Sequence, residues 1–145
     1  MKILVLSDSH LHSVKLDLND YDYVIHCGDG NRITKSDNVF CVRGNCDFRG
    51  EKEKIVEIKN KKILITHGDL YNVKYGYTRL SYKALESEVD ICLFGHTHIA
   101  DVFEFQEILF INPGAYQDGY YVIIEDNKIN FYYNNECYKE FNYKW

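Results

Sequence analysis

Proline occurs once in the sequence, at Pro113, and no stretch is rich in proline, glycine or serine. With no internal repeat and no low-complexity segment either, nothing marks a linker, and the 145 residues are expected to form one domain, 1–145. No C-x-x-C pair is present and the cysteine count is odd, at five. That argues against a disulfide framework, a thiolate zinc site and a thioredoxin-type redox motif. Cys27, Cys41 and Cys92 fall in or beside apolar runs and read as small core hydrophobes. Positive charge is in deficit: 17 Lys and Arg against 22 Asp and Glu leave a formal charge of -5. A general affinity for nucleic-acid backbone needs the opposite balance, so no extended nucleic-acid binding is expected, while a nucleotide-sized substrate stays open. Long hydrophobic runs are missing too. The first apolar run stops at Ser7-Asp8, too short for a signal peptide or a membrane span, so the expectation is a cytoplasmic protein without a membrane partner.

What the sequence does have is apolar content for a core, 46%, cut into short runs. Ile3-Leu4-Val5-Leu6, Tyr23-Val24-Ile25, Val39-Phe40-Cys41-Val42, Ile63-Leu64-Ile65 and Ile91-Cys92-Leu93-Phe94 each read as a buried strand. They alternate with polar or helix-compatible segments, which is the pattern of an α/β layer structure. Short helices are expected over residues 12 to 19 and 31 to 36, and a longer one over 77 to 89, where Leu80, Ala84, Leu85 and Val89 recur near helical spacing. After residue 99 strands follow quickly, at 101 to 105, 108 to 111, 120 to 125 and 128 to 133, the last pair joined across Asp126-Asn127. Residues 55 to 58 and 62 to 65 suggest another hairpin, turning around Asn60-Lys61. The aromatic tail from Tyr138 to Trp145 is expected to pack against the domain or a partner subunit.

Each buried run in the first hundred residues leads into a polar cluster: Asp8-Ser9-His10, Gly28-Asp29-Gly30, Gly44-Asn45-Cys46-Asp47, Thr66-His67-Gly68 and Gly95-His96-Thr97-His98. At the strand ends of an α/β layer structure such clusters would lie together. Asp8 and His10 would share one face of an extended segment and could take a single ion. The glycines around Asp29 admit close approach of an ion or phosphate, and its two oxygens could bridge two ions. Asn45 offers a neutral carbonyl oxygen, His67 an imidazole, and His96 and His98 could serve different ions if their segment bends. Taken singly these are ordinary features: a solvated loop, a Gly-Asp turn, a cap, a hydrogen-bonded histidine. Together they make a metal site whose carboxylate, imidazole and amide donors suit Mn²⁺, Fe, Ni²⁺, Co²⁺ or catalytic Zn²⁺. His12 reads as a solvated residue and His26 as a core hydrogen-bonding one; Arg32, Arg43 and Arg49 stand near the clusters and could reach a phosphate.

The ordered set Asp8-x-His10, Gly28-Asp29, Gly44-Asn45-x-Asp47, His67-Gly68 and Gly95-His96-x-His98 resembles the five-block signature of calcineurin-like metallophosphoesterases. The short length, Cys46 and Asn112-Pro113-Gly114 make the chain most similar to the small bacterial and archaeal phosphodiesterases of the YfcE type. The resemblance implies an α/β fold, a four-layer α-β-β-α sandwich with two mixed β-sheets flanked by helices. It implies two divalent metal ions, Mn²⁺ first, with Ni²⁺, Co²⁺, Fe or Zn²⁺ as the others. Asp8, His10, Asp29 and His98 would hold one ion, and Asp29, Asn45, His67 and His96 the other. It further implies hydrolysis of a small phosphodiester or nucleotide-like substrate by a hydroxide bridging the ions, with Asn45, Cys46, Asp47 and His67 as catalytic positions. Many relatives carry His where this chain has Cys46. Protonation of the leaving group is therefore expected to fall to water, Asp47 or another histidine, favouring esters with good leaving groups. The resemblance also brings the loop at Asn112 towards the metal site. The alternative is a catalytically weak or inactive scaffold of the same fold for protein–protein interaction; the presence of every expected ligand favours the enzyme. The aromatic-rich sheet and tail also suit a homodimer.

Overall fold

The alternation of inward and outward side chains in two sets of apolar strands builds a sandwich. The computed structural model describes residues 1–30, 33 and 36–145; Arg32 and most of the helix expected over residues 31 to 36 lie outside the described residues. β1 (Lys2–Leu6), β2 (Tyr23–His26) and β3 (Val39–Cys41) run parallel. β4 (Glu53–Ile58) and β5 (Lys61–Thr66) form a hairpin, and β6 (Ile91–Leu93) lies parallel to β5. β7 (Asp101–Phe105) and β8 (Ile108–Asn112) complete the β4-β5-β6-β8-β7 sheet, in which β8 is parallel to β6. β9 (Tyr120–Glu125) returns to pair antiparallel with β1, and β10 (Lys128–Tyr133) and β11 (Glu136–Asn142) extend that sheet to β11-β10-β9-β1-β2-β3. Two mixed sheets therefore stack face to face, the α/β sandwich implied by the resemblance.

Odd and even positions of the strands sort into different cores. Ile3, Val5 and Ile25 point inward to meet Ile63, Ile65, Ile91, Leu93, Leu109 and Ile111 of the facing sheet. Leu64, Cys92, Phe94 and Phe110 point the other way and are covered by Leu80 and Ala84 of α1 (Thr78–Glu86). This helix is shorter than the expected 77 to 89, because the chain turns at Glu88, which has φ 55°. The opposite outer face presents Leu4, Leu6, Val24, Tyr121 and Ile123.

That second outer face corrects the sequence reading. Residues 12 to 19 are not a helix; among the described residues the segment ends in a single 3₁₀ turn, Leu18–Asp20, capped by the Asp17 carboxylate accepting from Asn19 N–H at 3.0 Å. Val14, Leu16 and Leu18 are half-buried while Lys15 and Asp17 are exposed, a period of two that lays extended chain on the sheet. The β4–β5 turn also sits one residue earlier than expected, at Lys59-Asn60, closed by the pairing of Ile58 with Lys61. Gln106-Glu107, Asp126-Asn127 and Asn134-Asn135 make turns of the same kind, both residues left-handed, as the twist of two-residue hairpins demands. β11 was not anticipated as a strand. Beyond it Tyr143 and Trp145 pack against the chain's own core, the indole N–H donating to Lys59 O at 3.3 Å. None of the five cysteines is in a disulfide, and Cys27, Cys41 and Cys92 are buried as expected. Among the described residues no helix is long and apolar enough to cross a membrane.

His26, the last residue of β2, ties the ends of β1 and β2 together. Its Nδ1 accepts Gly28 N–H at 3.1 Å, which assigns the proton to Nε2. Nε2 then donates to Ser9 Oγ at 2.9 Å, and the hydroxyl donates onward to Gly30 O at 3.0 Å. Burial lowers the pKa of this ring to about 4, against the opposing pull of the Asp8 and Asp47 charges. Unfolded, the ring takes up its proton near 6.5; folded, it holds off until about 4. The unfolded chain therefore binds the extra proton in this window, so the contribution of His26 is complete above the window and is lost on acidification through it, up to about 3 kcal/mol. Denaturant titrations of chelator-treated protein are expected to show stability falling as pH drops from 6.5 to 4, and the slope is expected to shrink in His26→Gln. An unchanged slope in the variant would remove this assignment.

Candidate metal centre

Strands that run parallel within a sheet end on the same side, and here both sheets deliver their carboxyl ends to one edge of the sandwich. Asp8 and His10 follow β1, Asp29 follows β2, and Asn45, Cys46 and Asp47 follow β3. From the facing sheet His67 follows β5, His96 and His98 follow β6, and Asn112 ends β8. The backbone bends sharply to aim these side chains: φ is 54° at Asp8, 50° at His10, 60° at Asp29, 73° at His96 and 63° at His98. Left-handed backbone at residues other than glycine is uncommon and costs energy, and it gathers at functional sites. Asp8 and His10 thus do not share the face of an extended segment, as the D-x-H spacing suggested. Hydrogen bonds from Asp8 N–H to Gly28 O and from His10 N–H to Asp29 O, each 2.9 Å, hold the bends.

Two glycines are set by close approach. A Cβ at Gly44 would run into the Asp29 carboxylate, and one at Gly95 would overlap Ser7 Oγ and come within 2.6 Å of Asp8 Oδ2. Asp8 is fully buried. Its Oδ2 accepts the Ser7 hydroxyl at 2.6 Å and His96 N–H at 3.0 Å. Its Oδ1 is buried without a hydrogen bond and instead faces Nε2 of His98 at 3.2 Å, of His10 at 3.7 Å and of His67 at 3.7 Å. Asp29 Oδ1 accepts Cys46 N–H at 2.8 Å, while Oδ2 lies 3.1 Å from His67 Nε2. His67 donates Nδ1–H to Cys27 O at 2.8 Å, turning Nε2 towards both carboxylates. Further ring nitrogens face one another: His96 Nδ1 is 3.2 Å from His67 Nε2, and His10 Nε2 is 3.4 Å from His98 Nε2.

Two groups result, Asp8-His10-His98 and Asp29-His67-His96, each with one donor atom per residue within 4.8 Å of the others. Each draws on both sheets. His10, Asp29 and Cys46 form a third, overlapping group that brings a thiol to the rim. Asn45 is exposed and, among the described residues, makes no hydrogen bond to either of the first two groups; its Nδ2 lies 3.6 Å from Cys46 Sγ. The charges respond to this crowding. Burial pushes the Asp29 pKa up, but the His67 hydrogen bond and charge and the Cys46 contacts outweigh it, leaving about 2. Burial lowers His67, and the Asp29 hydrogen bond with the Asp8 and Asp29 charges raises it further than burial lowers it. His96 is lowered by burial, then by His67 and Lys74.

The Asp47 carboxylate turns away from the donors and clamps the loops: Oδ2 accepts from Asp29 N–H at 2.8 Å and Gly44 N–H at 2.9 Å, and Oδ1 from Gly30 N–H at 2.9 Å. Asn112 holds the turn that carries His96 and His98, donating to Gly95 O at 3.2 Å and Thr97 Oγ1 at 2.9 Å and accepting Gly114 N–H at 2.9 Å. Ser7 and Gln117 escaped the sequence reading. Gln117 sends its backbone N–H to Asp8 O at 3.2 Å and places Nε2 3.5 Å from His98 Nδ1. A buried Ser beside Asp8 was a readable hint, whereas nothing near Gln117 in the sequence signals its role. His12 is exposed, and Arg43 is half-buried next to Gly44.

Residues 1–124 match the calcineurin-like phosphoesterase superfamily domain. The chain is 36% identical over 126 residues to the probable metallophosphoesterase YsnB of Bacillus subtilis, covering 79% of this chain and 75% of that protein. It is 30% identical over 146 residues to the phosphodiesterase MJ0936 of Methanocaldococcus jannaschii, covering 79% and 83%. A crystal structure of a predicted phosphoesterase from Streptococcus pneumoniae superposes with a TM-score of 0.81 at 32% identity, over 97% of both chains. A sandwich edge furnished with carboxylates and imidazoles, and a family match over most of the sequence, lead to one conclusion: the chain belongs to the calcineurin-like phosphoesterase superfamily, a family of metal-dependent hydrolases.

Proposed function

We propose that this protein is a cytoplasmic phosphodiesterase that hydrolyses a small, nucleotide-like phosphodiester with the help of two divalent ions. The observation that carries the proposal is Asp8 Oδ1, a buried carboxylate oxygen with no hydrogen bond, ringed by three imidazole nitrogens. Such an atom is costly unless a cation completes its surroundings. The donor set fits: carboxylate oxygens with imidazoles suit Mn²⁺, Ni²⁺, Co²⁺, Fe or Zn²⁺ alike, and the family resemblance is what puts Mn²⁺ first. Asp8, His10, Asp29 and His98 would hold one ion, and Asp29, Asn45, His67 and His96 the other. Asp29 would be the residue shared between them, its Oδ1 accepting Cys46 N–H and its Oδ2 lying 3.1 Å from His67 Nε2. When bound, such ions supply Lewis acidity towards the phosphoryl oxygens and activate water for attack at phosphorus.

The protein's own residues orient and tune. His67 is locked by its bond to Cys27 O, which fixes the tautomer that presents Nε2. Ser7 and the His96 amide hold one Asp8 oxygen so that the other faces the donors. Asp47 acts as a positioning residue, keeping Asn45 and Cys46 at the rim. Burial and the nearby Asp29 charge push the Cys46 thiol pKa up, so it stays protonated at neutral pH but is a weak acid. Departure of the leaving oxygen then relies on water, which favours good leaving groups. The diester preference rests on the similarity to a relative named as a phosphodiesterase. Five cysteines without a disulfide fit a reducing cytoplasm.

Three outcomes test this reading. Chelator-stripped protein reconstituted with each ion is expected to hydrolyse bis(4-nitrophenyl) phosphate, fastest with Mn²⁺, and Asp29→Ala to lower kcat/KM by about a thousandfold, the loss of several kcal/mol of charge stabilisation. No ion-dependent turnover of any phosphate ester by folded protein would overturn the enzyme. Gly95→Ala, which alters no ligand, is expected to weaken Mn²⁺ binding by about tenfold in calorimetry by displacing Ser7 and Asp8. Cys46→His is expected to raise the rate on an alkyl diester relative to a nitrophenyl diester by about tenfold or more, and Cys46→Ser to leave that ratio unchanged. Equal ratios in all three proteins would remove the leaving-group argument.

A further inference from the structure

A separate cleft of about 290 Å³ adjoins the proposed metal centre on the side of Asn45, lined by Arg43, Asn45, Asp47, Lys52 and Asp69 among others. It brings two cations together in a chain whose formal charge is -5. Among the described residues neither Arg43 nor Lys52 forms an ion pair, whereas Lys54, Lys83 and Lys128 do. Two carboxylates, Asp47 and Asp69, share the cleft, and neither forms an ion pair with Arg43 or Lys52 among the described residues. Asp47 is occupied by three backbone N–H groups. Asp69 follows His67 and Gly68 at the opposite wall of the cleft from the Arg43 loop. The backbone of Arg43 is fixed, its N–H donating to Glu51 O at 2.7 Å at the start of the loop that the Asp47 clamp closes.

We infer that this cleft is a second anion subsite, and that the substrate is a nucleotide-like phosphodiester bearing a further phosphate held by Arg43 and Lys52 while its ester phosphorus lies at the metal centre. The inference rests on the phosphodiesterase reading above and narrows its substrate class. A guanidinium suits a phosphate through paired hydrogen bonds, and an exposed ammonium adds a mobile point charge. The negative balance of the rest of the molecule disfavours a long polyanion, so the cleft selects one extra phosphate on a small molecule rather than a polynucleotide.

Two esters with one leaving group test it: the 4-nitrophenyl ester of thymidine 5′-phosphate, and the same ester carrying a 3′-phosphate. In the presence of Mn²⁺ the added phosphate is expected to raise kcat/KM by about tenfold, chiefly through KM, and the preference to fade with rising salt. Lys52→Ala, at an exposed position, and Arg43→Gln are each expected to bring the preference towards one. Turnover of both esters with no preference in the wild type, or with the preference intact in both variants, would overturn the subsite and leave the phosphodiesterase standing. If neither ester is turned over the phosphodiesterase reading fails, and calorimetry decides the subsite alone. Tighter binding of thymidine 3′,5′-bisphosphate than of thymidine 5′-phosphate, lost in Lys52→Ala, supports it, and equal binding overturns it.

Discussion

Asp8 sits at the centre of a problem that the surrounding structure is arranged to contain. Its carboxylate is buried completely, and one oxygen is left facing imidazole nitrogens without a hydrogen bond. An uncompensated buried charge costs several kcal/mol, enough to matter in a domain whose total stability is of the order of 10 kcal/mol. The Ser7 hydroxyl and the His96 amide satisfy only the other oxygen. The left-handed bends at Asp8, His10, Asp29, His96 and His98 keep the donors from relaxing apart, and Gly95 admits the close approach that a methyl group would block. The His67 pKa is raised by its hydrogen bond to Asp29 and then by the Asp8 and Asp29 charges, so a proton on that ring eases both carboxylates. A divalent ion would offer more, and its arrival would compete with that proton.

Much of this could be read from the sequence, because the signals were local. Continuous apolar runs such as Ile3 to Leu6 mark strands buried on both faces, and each was followed at once by its polar cluster, so strand ends and donors were found together. The hairpin at Asp126-Asn127 was legible since both residues tolerate left-handed backbone. What escaped depended on tertiary placement. The chain over residues 12 to 19 alternates with a period of two that only a neighbouring sheet face makes meaningful. β11 is an exposed, charged edge strand without an apolar face to announce it. The bend between Asp8 and His10 is imposed by Gly28 and Asp29 carbonyls from the adjoining strand end, and Gln117 reaches Asp8 and His98 across a wide gap in sequence.

Asp47 shows how a motif residue and its role can come apart. The family resemblance implied a catalytic part for it, including proton transfer, and in the fold three backbone N–H groups occupy its carboxylate. It works by holding the loops after β2 and β3 in register, which sets the positions of Asp29, Asn45 and Cys46 together. The chemistry at the rim is thereby separated from the device that shapes it.

Because each donor group draws one part from the β1–β2 side and another from the β5–β6 side, neither sheet alone contains a complete binding set. Ion binding is therefore linked to the closure of the sandwich itself. Bound ions would behave as rivets across the layers, stabilising the packed state by mass action, and the saturation curve of the centre would gauge how firmly the two sheets stay docked. A fault in the shared core far from the edge, at Ile129 or Phe131 for example, would surface as weakened ion uptake without altering a single ligand.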